Sequence, residues 1–158
     1  MINNPEFYTI EQMKIVGMWP LTYLCGHVMV PYINRMKKPF LVGLEIGVLK
    51  GETTRVILDA CPKVTKYYGV DPYEGYFDTD HEKSKDDMAA FKAAADANLA
   101  GYSQYELVKI IPEKVDFILI DGQHTYDHVK ADLTLYYPFL NDGGIIFCHD
   151  YNNVEVAR

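Results

Sequence analysis

Short apolar runs with few polar interruptions recur along the chain, and segments of helical composition separate them. Such runs are typical of strands that are covered on both faces of a parallel sheet. Strands that alternate with helices predict an α/β fold with a doubly wound, Rossmann-like and mostly parallel sheet, in the strand order 3-2-1-4-5. The predicted strands are 41–46, 66–70, 105–110, 115–120 and 145–148, and the predicted helices are 52–60, 86–100 and 126–140.

Residues 1–39 precede this alternation and carry scattered apolar and aromatic positions. They predict one or two short helices that pack outside the sheet, because prolines interrupt the segment. A lid or a dimer face is the alternative use of its aromatic side chains. Residues 40–158 hold the alternating pattern, within a single domain overall, and their polar stretch 73–85 predicts a mobile loop. The prolines are Pro5, Pro20, Pro31 and Pro39, and the aromatic residues are Tyr8, Trp19, Tyr23 and Tyr32.

The composition restricts the kind of partner. The net charge is −7 over 158 residues, and no cluster of lysine and arginine interrupts the acidity. A surface that tracks nucleic-acid phosphates is therefore disfavoured, whereas a cationic ligand or a metal ion is compatible with the charge. Cys25, Cys61 and Cys148 are widely spaced and odd in number, which indicates reduced thiols in a cytoplasmic protein. Neither a signal peptide nor a membrane span is predicted, since the apolar segment 19–33 is too short to cross a bilayer.

Polar residues and glycine follow the apolar runs at four of the predicted strand ends. In doubly wound sheets, ligands bind beyond the carboxyl ends of the strands, near the point where the strand order reverses. Side chains that follow different strands are therefore expected to meet at one rim of the sheet. The residues at these ends are Gly47, Asp71, Asp121 and the pair His149 and Asp150.

The loop after the first predicted strand contains Gly47 and Gly51, and a predicted helix follows it. Free backbone N–H groups and a helix N-terminus at the tip of a strand suit a nucleotide-like ligand. The two glycines lie four residues apart, so the loop matches neither the dinucleotide pattern G-x-G-x-x-G nor a Walker loop. Strand-to-helix turns also need glycine for steric reasons, and the loop alone favours that simpler interpretation.

Asp71 ends the second predicted strand, roughly 20 residues after the glycine loop, which is near the spacing of a ribose-binding acid. An acid at this place can accept hydrogen bonds from both hydroxyls of a ribose. The alternative is a turn aspartate before Pro72. The spacing favours the ribose interpretation.

Asp121 opens the segment Asp-Gly-Gln-His-Thr-Tyr after the fourth predicted strand. Helix capping explains Thr125 but leaves Asp121 and His124 without a role. Asp121 and Asp150, at neighbouring strand ends, are a candidate pair for an oxygen-preferring divalent cation. His124 and His149 are candidates for a metal ligand or a general base, with a purely structural role as the alternative.

Four segments, LEIGVLKGETT, YYGVDPYEGY, VDFILIDGQHTYDHVKADL and LNDGGIIFCHDY, occur in order over residues 40–151. Together they resemble the class I S-adenosylmethionine-dependent methyltransferases, and most closely the small O-methyltransferase-like branch with an Asp-Gly-x-His-x-Tyr segment. The resemblance implies S-adenosylmethionine as cofactor and O-methylation of a small hydroxylated acceptor as activity. The cofactor-binding residues that it implies are Glu45, Gly47, Gly51, Thr53, Asp71 and Asp121.

For this activity, the candidate catalytic residues are Asp121 and Asp150, as a metal-binding or acceptor-orienting pair, and His124, as a base. Metal-dependent relatives, such as the catechol and cephalosporin-type methyltransferases, bind magnesium through an acid at the position of Asp121. Asp121 and Asp150 are therefore the candidate Mg²⁺ ligands. The chain lacks the antiparallel sixth and seventh strands of the family, so a homo-oligomer that covers the exposed sheet edge is expected. A non-catalytic cofactor-binding or assembly subunit is the alternative function, and a nicotinamide-dependent oxidoreductase is a third.

Overall fold

The computed structural model describes residues 21–77 and 82–149. Its strands are β1 (Leu41–Ile46), β2 (Val64–Val70), β3 (Tyr76–Phe77), β4 (Glu82–Lys83), β5 (Tyr105–Leu107), β6 (Val115–Ile120) and β7 (Leu140–Cys148). Its helices are α1 (Leu21–Arg35), α2 (Glu52–Ala60), α3 (Lys85–Leu99) and α4 (Tyr126–Tyr136), and a short 3₁₀ helix, Tyr137–Phe139, follows α4. Five strands form a sheet in the order β5-β2-β1-β6-β7, in which each pair is parallel. The predicted α/β, Rossmann-like class is confirmed.

The strand numbering differs from the prediction because of a small antiparallel pair. β3 and β4 pair with each other outside the large sheet. They lie in the stretch 73–85, for which the sequence predicted only a loop. The predicted order 3-2-1-4-5 counted the five strands of the large sheet alone, and the extra pair shifts every number after β2.

The end of α4 and the start of β7 are the largest differences from the predicted boundaries. The helix was expected to reach residue 140, but it ends at Tyr136 because Pro138 cannot continue an α-helical hydrogen-bond ladder. The last strand was expected to begin at residue 145, but β7 already begins at Leu140, and residues 141–144 form its irregular first part. Asn141 donates a side-chain hydrogen bond to Asp116, which holds this segment against β6.

Helix α1 runs through a proline that was expected to interrupt it. Pro31 lies inside the helix, and the residues on either side of it remain helical. Met29 and Ile33 are almost fully buried in the core, and the Tyr32 ring packs edge-on against Phe147 of β7. This packing outweighs the one backbone hydrogen bond that proline removes. The expectations for residues 1–20 fall outside the described part of the chain.

The sheet is covered on both faces, which explains the solidly apolar runs of the sequence. One core cluster includes Leu41, Ile57 and Phe117, and the other includes Leu44 and Ile118. All six residues of β6 are buried. Cys61 and Cys148 have free thiols. Among the described helices, none is both long and apolar enough to cross a membrane.

Asp116 is a buried charge at the beginning of β6, on the side of the sheet away from the candidate site. Its side chain forms an ion pair with Lys38 and accepts hydrogen bonds from the Val42 N–H and from Asn141. Burial works against the charge, but these donors outweigh it and hold the pKa of Asp116 below its usual value. The carboxylate therefore fastens the beginnings of β1, β6 and β7 together.

Candidate functional site

The loop between β1 and α2 passes through three left-handed backbone positions. They are Gly47 (φ 88°), Leu49 (φ 50°) and Gly51 (φ 72°). A Cβ atom at Gly47 would lie 2.2 Å from the backbone oxygen of Asp121, and one at Gly51 would lie 2.7 Å from a methyl carbon of Leu99. A side chain at either position would clash with these atoms. Both glycines are therefore needed for steric reasons, as the simpler interpretation of the loop expected. The structure also brings the cofactor loop predicted from the sequence into direct contact with the end of β6.

The Asp71 carboxylate follows β2 and accepts three backbone hydrogen bonds. Its Oδ2 accepts from the N–H groups of Val48 and Leu49 at 3.1 and 2.9 Å, and its Oδ1 accepts from the Tyr73 N–H at 2.8 Å. The expectation of free N–H groups in the glycine loop is therefore wrong for Val48 and Leu49. Each carboxylate oxygen has more than one acceptor position, and Asp71 is partly exposed, so it retains capacity for a further donor.

Glu45 places a carboxyl group beneath this rim, with only 1% of its surface exposed. Thr54 Oγ1 donates a hydrogen bond to Glu45 Oε2. The pKa of Glu45 is raised to about 8, first by burial and then by the charges of Asp121 and Asp71, against the hydrogen bonds from Thr54 and Tyr67. The loop that follows β1 donates to Asp71 and lies against the backbone of Asp121, so the three carboxyl groups lie at one rim of the sheet.

The two threonines that begin α2 have different environments. Thr53, which the resemblance implied as a cofactor-binding residue, is 7% exposed in the first turn of the helix. Thr54 is fully buried and holds Glu45 in place. No role for Thr54 was expected from the sequence. The only signal in the sequence was that Thr54, which has a hydroxyl group, lies nine positions after Glu45, an acid within an apolar strand.

Asp121 and His149 meet because they follow the paired parallel strands β6 and β7. His149 Nδ1 lies 2.9 Å from Asp121 Oδ1, and His124 Nε2 lies 3.5 Å from the same oxygen. The two imidazole rings are 5.7 Å apart between centroids. Burial of Asp121 opposes its charge, but the hydrogen bonds and charges of His124 and His149 outweigh burial and lower its pKa.

The chain after Asp121 turns directly into α4. Thr125 caps this helix by accepting a hydrogen bond from the His128 N–H, as the sequence predicted. His124 therefore precedes the helix and faces Asp121. Asp150, the remaining residue of the predicted catalytic and metal set, lies outside the described residues. His149, which the sequence placed at a strand end and named with His124 as a candidate metal ligand or general base, lies beside Asp121.

Comparison with known proteins gives a family for the chain. Residues 44–151 match the family model described as a methyltransferase domain. An uncharacterised protein of Acanthamoeba polyphaga mimivirus is 27% identical over 137 residues, which are 83% of this chain and 61% of that protein.

Two solved structures have a similar fold. An amino pentose methyltransferase from Micromonospora echinaspora, solved with S-adenosylmethionine bound, superposes with a TM-score of 0.57 at 12% identity. The match covers 90% of this chain and 56% of that protein. An S-adenosylmethionine-dependent methyltransferase from Thiobacillus denitrificans, in complex with S-adenosyl-L-homocysteine, superposes with a TM-score of 0.51 at 20% identity. The match covers 93% of this chain and 50% of that protein. The chain thus spans less than two thirds of the length of each of these relatives.

The matched residues include the glycine loop, Asp71, Asp121, His124 and His149. The solved structures support the fold through the order and direction of the strands rather than through sequence identity. Together, the family match over most of the chain and the shared fold show that this chain belongs to the methyltransferase-domain family and is a class I S-adenosylmethionine-dependent methyltransferase in architecture.

Proposed function

We propose that this chain binds S-adenosylmethionine at the rim above Glu45 and transfers its methyl group to the hydroxyl of a small acceptor. One observation carries the proposal: the glycine loop, Asp71 and Asp121 come together at the carboxyl ends of adjacent strands, around a buried carboxyl group. A rim rich in carboxyl groups suits the sulfonium cation of the cofactor. Membership of a methyltransferase family supports the same assignment.

The hydrogen bonds of Asp71 favour an adenosyl sulfonium over a dinucleotide. The amides of Val48 and Leu49 already donate to this carboxylate, and a pyrophosphate would need such amides for itself. S-adenosylmethionine contains no phosphate and needs only an acceptor for its ribose hydroxyls. Asp71 provides that acceptor in the proposal, so the nicotinamide-dependent alternative is disfavoured.

The Asp121 cluster provides the proposed acid–base chemistry. The acceptor oxygen attacks the methyl carbon in line with the sulfur, the carbon–sulfur bond breaks, and the electron pair remains on the sulfur of S-adenosylhomocysteine. The acceptor proton passes to a ring nitrogen of His124. Asp121, whose pKa is lowered, stays ionised and stabilises the imidazolium that forms. Holding the acceptor in line with the methyl group supplies much of the rate.

Magnesium has no assigned step in this mechanism. The resemblance implied a Mg²⁺ site at Asp121 and Asp150, and Mg²⁺ prefers an octahedral set of oxygen ligands. In the described part of the chain, the groups around Asp121 are the imidazoles of His124 and His149. This donor set does not fit Mg²⁺.

The proposed acceptor is a small molecule rather than a nucleic acid or a membrane. The net charge of −7 supports this, because a polyanionic partner would be repelled. A small-molecule acceptor is also supported by one structural neighbour, which is described as an amino pentose methyltransferase. We include a homo-oligomer in the proposal, since β7 ends the large sheet and pairs with β6 alone among the described strands.

Two substitutions separate the cofactor and acceptor halves of the proposed site. Asp71→Ala is expected to weaken binding of S-adenosylmethionine by about tenfold or more, because hydrogen bonds to a charged group contribute about 1.5–3 kcal/mol. Asp121→Asn is expected to keep the affinity and to lower kcat by about a hundredfold or more, because it removes the charge that stabilises the base. Calorimetric titration and product analysis with hydroxylated acceptors measure the two effects.

Asp86→Asn is the matched control, since Asp86 is exposed in the first turn of α3. It is expected to retain both affinity and turnover. Unchanged affinity in Asp71→Ala would contradict the ribose assignment. Cofactor binding by the wild type without turnover on any acceptor would favour the non-catalytic subunit.

A further inference from the structure

The ligand atoms around Asp121 suggest a function for the cluster besides proton transfer. One carboxylate oxygen and two imidazole nitrogens, from Asp121, His124 and His149, all lie within 4.8 Å of one another. Two imidazoles with one carboxylate form a set that suits zinc and related transition metals, and not magnesium. We infer that Asp121, His124 and His149 bind one divalent transition-metal ion.

The spacing of the three atoms is close to what such an ion needs. Zinc–nitrogen and zinc–oxygen bonds are about 2.0–2.2 Å, so neighbouring ligands of a tetrahedral ion lie about 3.4 Å apart. His124 Nε2 is 3.5 Å from Asp121 Oδ1, and His149 Nδ1 is 2.9 Å from it. Both distances are within about half an ångström of that spacing, and the two imidazole nitrogens lie within 4.8 Å of each other.

The backbone holds two of the three ligands at fixed positions. The Asp121 N–H donates to the Ile46 carbonyl at 2.8 Å, and the His149 N–H donates to the Ile120 carbonyl at 3.0 Å. Both ligands thus belong to the strand ladder, and ligands on rigid elements lose little freedom when an ion binds. His124 lies on the loop before α4 and provides the adjustable ligand.

Partial exposure gives the ion a path and an open coordination position. The side chains of Asp121, His124 and His149 are 19%, 29% and 17% exposed. Three protein ligands leave the fourth tetrahedral position for water or for another small ligand. An ion on His124 Nε2 and a proton on the same nitrogen exclude each other. A bound ion would therefore compete with proton transfer to this nitrogen, and its binding is measured below without any methyl acceptor.

The test uses the full chain after removal of metals with a chelator. Co²⁺ is titrated while its visible absorption is followed, and Zn²⁺ and Mg²⁺ are titrated separately by calorimetry. We expect one Co²⁺ per chain, displacement of Co²⁺ by Zn²⁺, and no saturable heat with Mg²⁺. His124→Gln and His149→Gln should each weaken Zn²⁺ binding by about tenfold or more.

Two control variants distinguish this site from other metal-binding groups. His128→Gln changes an exposed histidine that bonds to Thr125 and lies outside the cluster, so it should retain wild-type affinity. Cys148→Ser should also retain it, and no intense thiolate-to-cobalt absorption should appear. Far-ultraviolet circular dichroism confirms that each variant is folded. Absence of saturable Co²⁺ and Zn²⁺ binding, or equal loss in His128→Gln, would overturn the inference.

Discussion

Glu45→Gln offers the sharpest test of the rim, because the substitution removes a proton-binding group and keeps the shape. Glu45 is 1% exposed and its pKa is raised to about 8, first by burial and then by the charges of Asp121 and Asp71. In the unfolded chain its carboxyl group titrates near 4.5. Between these values the folded protein keeps a proton that the unfolded chain has lost. Wyman linkage then requires the free energy of unfolding to fall as the pH rises through this window.

The magnitude follows from the number of protons involved. One proton released on unfolding changes the free energy of unfolding by about 1.4 kcal/mol for each pH unit. From pH 5 to pH 7, Glu45 alone should therefore lower the stability by about 3 kcal/mol. Glutamine has no such proton, and its amide can still accept a hydrogen bond from Thr54. The slope of stability against pH should thus be less negative in Glu45→Gln than in the wild type, by about 1.4 kcal/mol per unit.

Urea unfolding followed by circular dichroism, at several pH values between 5 and 7 and with a chelator present, measures this difference. Other titrating groups, including Asp121 with its lowered pKa, occur in both proteins, so subtraction isolates Glu45. Glu52→Gln is the control, since it makes the same chemical change at a partly exposed position of α2. Its slope should equal that of the wild type. Parallel stability curves for the wild type and Glu45→Gln would refute the assignment of a buried, protonated carboxyl group.

Two further substitutions test the backbone contacts and the buried charge. Gly47→Ala should destabilise the protein by about 2 kcal/mol or more, because its Cβ would meet the Asp121 backbone oxygen at a positive φ. Gly101→Ala is the control and should change the urea midpoint little, because the space around its Cβ is open. Asp116→Ala should lower stability by about 3 kcal/mol or more, because it leaves buried donors without their acceptor. The exposed ion pair of Asp96 provides the comparison, and a loss of similar size in Asp96→Ala would contradict the importance of burial.

The sheet was predictable from the sequence because burial on both faces leaves a continuous apolar run. Strands β1 and β6 have the predicted bounds for this reason. The pair β3 and β4 gave no such signal, since each strand has two residues and lies outside the core. The course of α1 through Pro31 depends on tertiary packing, which a local propensity does not contain.

The site was predictable as a location but only in part as a set of contacts. The sequence predicted that residues following the carboxyl ends of the strands meet at one rim of the sheet. The structure brings Asp71, Asp121 and His149 to that rim. The sequence could not show that Asp71 accepts from the loop amides, because that contact depends on the path that the three left-handed residues give the loop backbone. Nor could it show that Thr54, and not Thr53, holds Glu45. Consecutive residues of a helix point in different directions, so the orientation of α2 decides which hydroxyl faces Glu45.

The contact between Gly47 and the carbonyl of Asp121 has a consequence for how a family of such enzymes can diversify. Main chain touches main chain here, so the spacing between the methyl donor and the groups that prepare its acceptor would be set without the help of any variable side chain. In this chain, the missing Cβ atom at Gly47 lets the glycine loop lie directly against the carbonyl of Asp121, so substitutions in the surrounding loops would leave this contact between two strand ends unchanged.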